Sequence, residues 1–127
     1  MDFLLLYIGE GMRFDREEVK RVFRELPGVR NFEERAGVGW WLQAHLDEGN
    51  DSTIIRLVTD EESISVSGSG DASLKAAVAI QAGMKVSLRV VDVDYSFDLP
   101  LRDLRSTEDL RKAIVQARKG NQKDGVT

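Results

Sequence analysis

The segment Ser63–Ser67 alternates strictly between serine and an apolar residue, with Ile64 and Val66 at the apolar positions. Successive side chains of a β-strand point to opposite faces, so this pattern predicts a strand with one buried face and one solvent-exposed face. Such a strand is typical of an antiparallel sheet that is covered on one side only. The segment therefore restricts the fold to sheets that leave one face open.

A helix is predicted between Asp15 and Pro27. Asp15 is a favourable N-cap, and acidic residues follow it in the first turn, where the helix dipole stabilises them. The apolar residues recur at helical spacing, at Val19, Val22, Phe23 and Leu26. Pro27-Gly28 ends the helix. The resulting apolar stripe predicts a helix that packs on the covered face of the sheet.

The remaining elements predict an α+β fold. The predicted elements are a strand at 3–8, a helix at 15–26, a strand at 32–46 with a bulge near Gly37 and Gly39, strands at 53–58 and 63–67, a helix at 72–82, a strand at 86–93 that stays extended to 101, and a helix from 107. This order predicts a mostly antiparallel sheet of about five strands with helices on one face, as an elaborated split βαβ (ferredoxin-like) arrangement. We expect a single α+β domain at 1–120 and a polar C-terminal tail at 121–127.

The composition is that of a globular domain with an acidic balance. The 127 residues carry a formal net charge of -4, and the sequence pI is about 5.1. This balance argues against a nucleic-acid partner, because nucleic-acid binding requires a basic surface. The chain has no cysteine, which excludes disulfides and thiolate metal sites and favours a cytoplasmic location. The apolar start at 1–8 is too short to span a membrane, and we expect neither a membrane partner nor a cofactor.

The turn Gly68-Ser69-Gly70 lies between a predicted strand and a predicted helix. Backbone N–H groups at a helix N-terminus can bind an anion, so the turn is a candidate ligand site. The phosphate-binding signature, however, requires Lys and then Ser or Thr after its last glycine, and Asp71-Ala72 stands there instead. We therefore prefer the alternative, a structural turn in which Asp71 or Ser69 caps the helix.

Three aspartates, Asp92, Asp94 and Asp98, share one face if their segment is a continuous strand. Three carboxylates on one side can hold a hard cation, although their spacing does not match an EF-hand loop. The alternative, which we prefer, is an acidic solvent-exposed face that discourages edge-to-edge pairing. We therefore predict no metal site.

The predicted strand at 32–46 carries two adjacent tryptophans and the only histidine, His45. Its alternation assigns one face to Trp40, Leu42, Ala44 and Leu46 and the other to Trp41, Gln43 and His45. An exposed Trp41 would serve as an anchor for a protein partner, whereas helices on both faces would bury both rings. No serine lies in a nucleophile-elbow context, so His45 is expected to be structural or solvated rather than catalytic.

The second half of the chain resembles a known class of proteins. The segments that carry the resemblance are Gly68-Ser69-Gly70-Asp71-Ala72-Ser73-Leu74, Leu88-Arg89-Val90-Val91-Asp92, Asp94-Tyr95-Ser96-Phe97-Asp98-Leu99 and Glu108-Asp109-Leu110. They are similar to small uncharacterised bacterial proteins, some of which look like the immunity partners encoded beside toxins. The resemblance implies a cytoplasmic protein that binds and blocks a cognate toxin. Its motifs are structural, and they transfer no active-site residues.

These observations favour a non-enzymatic protein-binding module, including the immunity proteins that block a toxin. The expected partner-binding residues are Trp41, Asp47, Glu48, Asp60, Glu61 and Glu62. The alternative is a regulatory domain that senses a small ligand, dimerises, and binds a metabolite at Gly68, Ser69 and Gly70. A homodimer fits either hypothesis.

Overall fold

The computed structural model describes residues 3–9, 11–35, 39–68 and 70–126, the last seven of these by their backbone only. The elements, in chain order, are β1 (Phe3–Tyr7), α1 (Arg16–Glu25), β2 (Val29–Glu34), β3 (Trp40–Glu48), β4 (Asp51–Val58), β5 (Ser63–Ser67), α2 (Asp71–Gly83), β6 (Arg89–Asp92), β7 (Asp98–Pro100) and α3 (Thr107–Val126). The predicted α+β class is confirmed. The final helix continues to Val126, through the segment predicted to be a polar tail.

The described strands form one sheet in the order β2-β3-β4-β5-β1-β6-β7. Every pair of neighbouring strands is antiparallel, as expected from the alternating pattern. The predicted number of about five strands is wrong, because the sheet has seven.

Two chain reversals that the sequence pattern did not reveal account for the additional strands. The chain turns back between Glu34 and Trp40, so the segment predicted as one long strand is the antiparallel pair β2 and β3. Gly37, predicted to mark a bulge, lies outside the described residues. The second reversal follows Asp92, where Tyr95 N donates to the Asp92 carbonyl oxygen over 3.1 Å and separates β6 from β7.

The three helices contribute to one hydrophobic core on a single side of the sheet. Val19, Val22 and Phe23 of α1 are buried there, as their spacing predicted. The strands contribute Leu4, Leu6, Leu42, Ala44, Leu46, Ile55, Leu57, Ile64, Val66 and Val90, and α3 contributes Leu110 and Ile114. These strand residues alternate with residues on the opposite face, which the helices leave uncovered. Most of those residues are half-buried or exposed, although Trp40, Gln43 and Val91 are buried there by their neighbours in the sheet.

Helix α2 connects two strands that lie on either side of β1. Because β5 and β6 both run antiparallel to β1, they run parallel to each other. The connection after α2 is held by buried Gln81, whose Oε1 accepts from Leu88 N at 2.7 Å and whose Nε2 donates to the Val86 carbonyl oxygen at 2.9 Å. These two hydrogen bonds give both polar groups of the buried Gln81 side chain a partner.

Candidate functional site

The glycine-containing turn between β5 and α2 is held by side chains from neighbouring elements. Gly68 has a φ of +77°, a conformation that favours glycine. Beside it, the hydroxyls of Thr53 and Ser73 both donate to the Ser67 carbonyl oxygen. Ser69, one of the expected capping and ligand-binding residues, lies outside the described residues. The described part of the turn therefore joins the ends of β4, β5 and α2.

A carboxylate from another part of the chain occupies the anion position at the start of α2. Asp51 Oδ2 accepts from Ala72 N over 3.0 Å, so Asp51 caps the helix across the fold. A Cβ placed on Gly70 would lie only 2.7 Å from Asp51 Oδ2, and glycine at this position leaves room for the carboxylate. A ligand anion at this N–H group would have to displace Asp51.

The prediction that Asp71 caps α2 is wrong. Its carboxylate pairs instead with the guanidinium of Arg111 on α3. Asp71 lies in the first turn of α2, where its negative charge interacts favourably with the helix dipole. The carboxylate that accepts a hydrogen bond from the helix N-terminus, however, is that of Asp51. A residue about twenty positions away in sequence supplied the cap, and local spacing could not identify it.

Asp51→Ala is expected to lower the free energy of unfolding by about 1 kcal/mol, because it removes the capping hydrogen bond of α2. Urea denaturation of the variant measures the loss. Asp71→Ala is the matched control: it removes a carboxylate from the same helix end but no capping hydrogen bond. The exposed ion pair and the dipole interaction that it loses each contribute roughly 0–1 kcal/mol. A larger loss for Asp71→Ala than for Asp51→Ala would contradict the assignment.

The three aspartates of the second half do not share a face. Asp92 lies opposite Leu4 and is on the helix side of the sheet, whereas Asp98 lies opposite Val91 and is on the open side. Asp94 is exposed in the turn between them. The prediction of one continuous strand face is therefore wrong, and no cluster of metal-ligating side chains occurs among the residues that the structure describes.

Asp92 stabilises the turn after β6 and attaches α3 to the sheet. Its carboxylate accepts from Ser96 N at 2.7 Å and from the Ser96 hydroxyl, and Arg118 of α3 lies 3.3 Å away. Burial raises the pKa of Asp92, but the hydrogen bonds from Ser96 and the Arg118 guanidinium together outweigh it and hold the pKa below its usual value. The carboxylate thus remains ionised although it is buried.

The two tryptophans lie on different faces from those predicted. Trp40 lies opposite Val58 and Leu42 lies opposite Leu57, so Trp41 is the additional residue of a β-bulge. Since Leu57 faces the core, its neighbour Val58 and therefore Trp40 lie on the open side. A bulge of one residue inverts the alternation that precedes it.

Both indole rings are covered by arginine side chains. The Arg16 guanidinium lies 3.9 Å from the centre of the Trp41 ring, and the Arg35 guanidinium lies 4.5 Å from the centre of the Trp40 ring. Trp41 is half-buried and its Nε1 donates to the Thr59 carbonyl oxygen over 3.0 Å. A partner that bound the Trp41 ring would have to displace the Arg16 side chain. The role of Trp41 as an anchor for a partner stays a prediction.

The structure separates the expected acidic contact residues into two groups. Asp47 and Glu48 lie where β3 ends, and Asp60, Glu61 and Glu62 lie in the turn after β4, at the other end of the sheet. Three of these five acids form ion pairs: Arg30–Asp47 at 2.9 Å, Lys75–Glu48 at 2.6 Å and Arg16–Glu61 at 3.2 Å. The acids therefore do not form one continuous contact patch.

The open face of the sheet has a central row of small side chains, Ser63, Ser65 and Ser67, which we call the serine row. The flanking residues on β1 and β4 are larger and half-buried or exposed: Phe3, Leu5 and Tyr7 on one side, and Ile54, Arg56 and Val58 on the other. Half-buried His45 lies on this face, opposite Ile54. Because serine is shorter than its neighbours, the face is lowest along β5. The sequence pattern predicted the serine face but not its flanking residues.

A polar cluster borders the serine row on the side of β1. Tyr7 donates its hydroxyl to Asp98 over 2.7 Å, and Arg89 Nε donates to the same carboxylate over 2.7 Å. Burial, followed by the hydrogen bond to Asp98 and its negative charge, raises the pKa of Tyr7. The tyrosine therefore stays protonated and remains a hydrogen-bond donor at neutral pH.

Comparisons with known proteins assign no family to this arrangement. No protein-family model, curated protein or solved structure matches the chain. Among the described residues, every helix is too short or too polar to cross a membrane. The geometry of the open sheet face and of the turns at its ends is thus the basis for the functional proposal.

Proposed function

We propose that this chain is a non-enzymatic protein-binding module that uses the open face of its sheet. The observation that carries the proposal is the serine row, a low strip between the larger side chains of β1 and β4. Ser63 and Ser65 provide hydroxyl groups, and Phe3 and Leu5 provide apolar area. Protein interfaces combine these two kinds of group.

The net charge of -4 favours a basic partner, because an acidic protein attracts a basic one and speeds their association. An immunity protein that blocks a toxin fits this description, and the resemblance of the second half of the chain supports it. We place the protein in the cytoplasm, since a chain without cysteine is suited to a reducing compartment.

We also propose a ferredoxin-like origin for the central part of the fold. The strands β6, β1, β5 and β4 lie side by side, which is the spatial order of the fourth, first, third and second strands of a ferredoxin-like unit. The pair β2 and β3 then forms an insertion between α1 and β4. This order supports a sheet whose uncovered face is available for docking.

Ser65→Arg is expected to weaken binding of the protein partner at least tenfold, because a long charged side chain would fill the serine row. The wild-type chain and the variant serve as bait in extracts of the organism that encodes the chain, and affinities are measured with the purified partner by calorimetry. Circular dichroism checks that the variant folds.

Val115→Arg is the matched control for this experiment. It introduces the same side chain and charge at an exposed position of α3, and Val115 is 46% exposed. Equal binding by both variants would place the interface elsewhere. Recovery of no protein partner, together with a melting temperature raised by a metabolite, would favour the alternative of a ligand-sensing domain at Gly68 to Gly70.

If the partner is a toxin, expressing this chain together with the toxin should restore growth of cells that the toxin inhibits. The Ser65→Arg variant should not restore growth, and Val115→Arg should. A partner whose own activity the chain does not inhibit would contradict the immunity assignment while leaving the protein-binding function intact.

A further inference from the structure

Tyr95 is the most exposed large hydrophobic side chain of the described residues. It is 72% exposed and lies in the turn that joins β6 to β7. This turn follows Asp92, which lies opposite Leu4, at the end of the sheet where β1 begins. Strand β5 ends at this same end of the sheet, where Ser67 lies opposite Phe3. Exposed tyrosines of this kind are enriched among the residues that dominate interface energies.

The backbone of Tyr95 adopts a conformation that is unfavourable for a bulky residue. Its φ is +53°, in the left-handed region that Gly and Asn adopt more readily. Tyr95 N donates to the Asp92 carbonyl oxygen, and the Asp92 carboxylate accepts from Ser96 N, so hydrogen bonds on both sides hold the turn. The left-handed conformation and the exposed ring both mean that Tyr95 contributes little to the stability of the fold.

Asp94, the residue before Tyr95 in the sequence, adds a negative charge to the turn. Asp94 is exposed, and its carboxylate takes part in none of the ion pairs recorded for the residues that the structure describes. An aromatic face beside a carboxylate is suited to a guanidinium group, because the ring attracts a cation and the carboxylate pairs with it. The acidic balance of the whole chain favours the same kind of partner.

We propose that Asp94 and Tyr95 form the anchor by which this chain captures an arginine side chain of its protein partner. The inference rests on the proposed protein-binding function, and it specifies the contact and the chemistry of the partner. Hydrogen bonds already hold the turn in its conformation, so little backbone entropy should be lost when the partner docks.

The first experiment tests whether Tyr95 is retained at the expense of stability. Tyr95→Asn should raise the melting temperature by about 2–4 °C, because Asn tolerates the left-handed conformation and the tyrosine ring buries little area. A lower melting temperature would show that the ring stabilises the fold and would overturn the proposal.

The second experiment tests recognition directly, with a hexa-arginine peptide as the probe. Binding is followed by chemical-shift changes in NMR spectra, which should be largest at Asp94 and Tyr95. Tyr95→Asn and Asp94→Asn should each weaken binding roughly three- to tenfold. Asp103→Asn makes the same substitution in another exposed turn and should change binding less than twofold.

Equal effects of Asp94→Asn and Asp103→Asn would mean that the peptide senses only the overall charge, and the proposal would be wrong. This experiment needs no natural partner. Its failure is therefore distinguishable from failure of the proposed function, which would appear as the absence of any partner for the wild-type chain.

Discussion

Gly28→Ala is expected to lower the free energy of unfolding by roughly 3 kcal/mol, a large part of the stability of a domain of this size. Gly28 has a φ of +80°, which is strained for any residue with a Cβ. An added Cβ would also lie 2.4 Å from the Asp47 carbonyl oxygen, a backbone atom that cannot move without disturbing β3. The Asp47 N–H donates to the Gly28 carbonyl oxygen over 3.1 Å, so the same displacement would weaken this bond.

Gly11→Ala separates the two causes of this loss. Gly11 has a similar φ of +77°, but no heavy atom lies within 4 Å of an added Cβ. We therefore expect it to lose only the conformational contribution, about 1–2 kcal/mol. Urea denaturation of both variants gives the two values. Equal losses would show that the contact with Asp47 has no energetic effect.

Asp92→Asn is expected to lower the free energy of unfolding by about 2 kcal/mol at pH 7, because it removes the charge from a buried, hydrogen-bonded carboxylate. The folded state lowers the pKa of Asp92 below its ordinary value of 3.8. The stabilisation is therefore complete above that value and is lost as the pH falls through the folded-state pKa. The difference between wild type and variant should accordingly be largest at pH 7 and should shrink below about pH 4.

Denaturation at pH 7, 5 and 3 measures this dependence, and Asp94→Asn is the matched control. Asp94 lies in the same turn but is exposed, so its loss should change stability by less than about 0.5 kcal/mol. A pH-independent difference for Asp92→Asn would indicate that the shape of the carboxylate, rather than its charge, stabilises the turn.

The two largest expected effects concern how distant segments are joined rather than what they bind. Gly28 permits the start of β2 to lie against the end of β3, and Asp92 attaches α3 to the end of β6. Neither residue lies on the serine row. Variants at these positions should alter stability, and the Ser65 and Tyr95 variants should alter recognition.

Several elements could be predicted because their signals are local. The apolar stripe of α1 and the apolar–polar alternation of β5 are patterns of spacing along the chain. This spacing predicts which residues of each element are buried. The N-cap of α1 is equally local, since Asp15 Oδ1 accepts from Glu17 N over 3.0 Å. These predictions are confirmed.

Other predictions were wrong because a bulge or a turn interrupted the periodicity. Trp41 occupies a bulge in β3 and thereby moves Trp40 to the open face. The turn after Asp92 interrupts what the sequence presents as a continuous strand, and it separates Asp92 from Asp98. Apolar and polar alternation does not reveal such interruptions, since the pattern resumes after each of them.

The sequence by itself determined the α+β class, the helices and the one-sided character of the sheet, because these depend on spacing along the chain. Only the tertiary structure decided which partner each charged side chain has. The turn Gly68 to Gly70 suggested an anion site, but Asp51 reaches the N-terminus of α2 across the fold, and Asp71 turns to Arg111. Hydrogen bonds and ion pairs between distant residues depend on the three-dimensional approach of two chain segments, which no local pattern encodes.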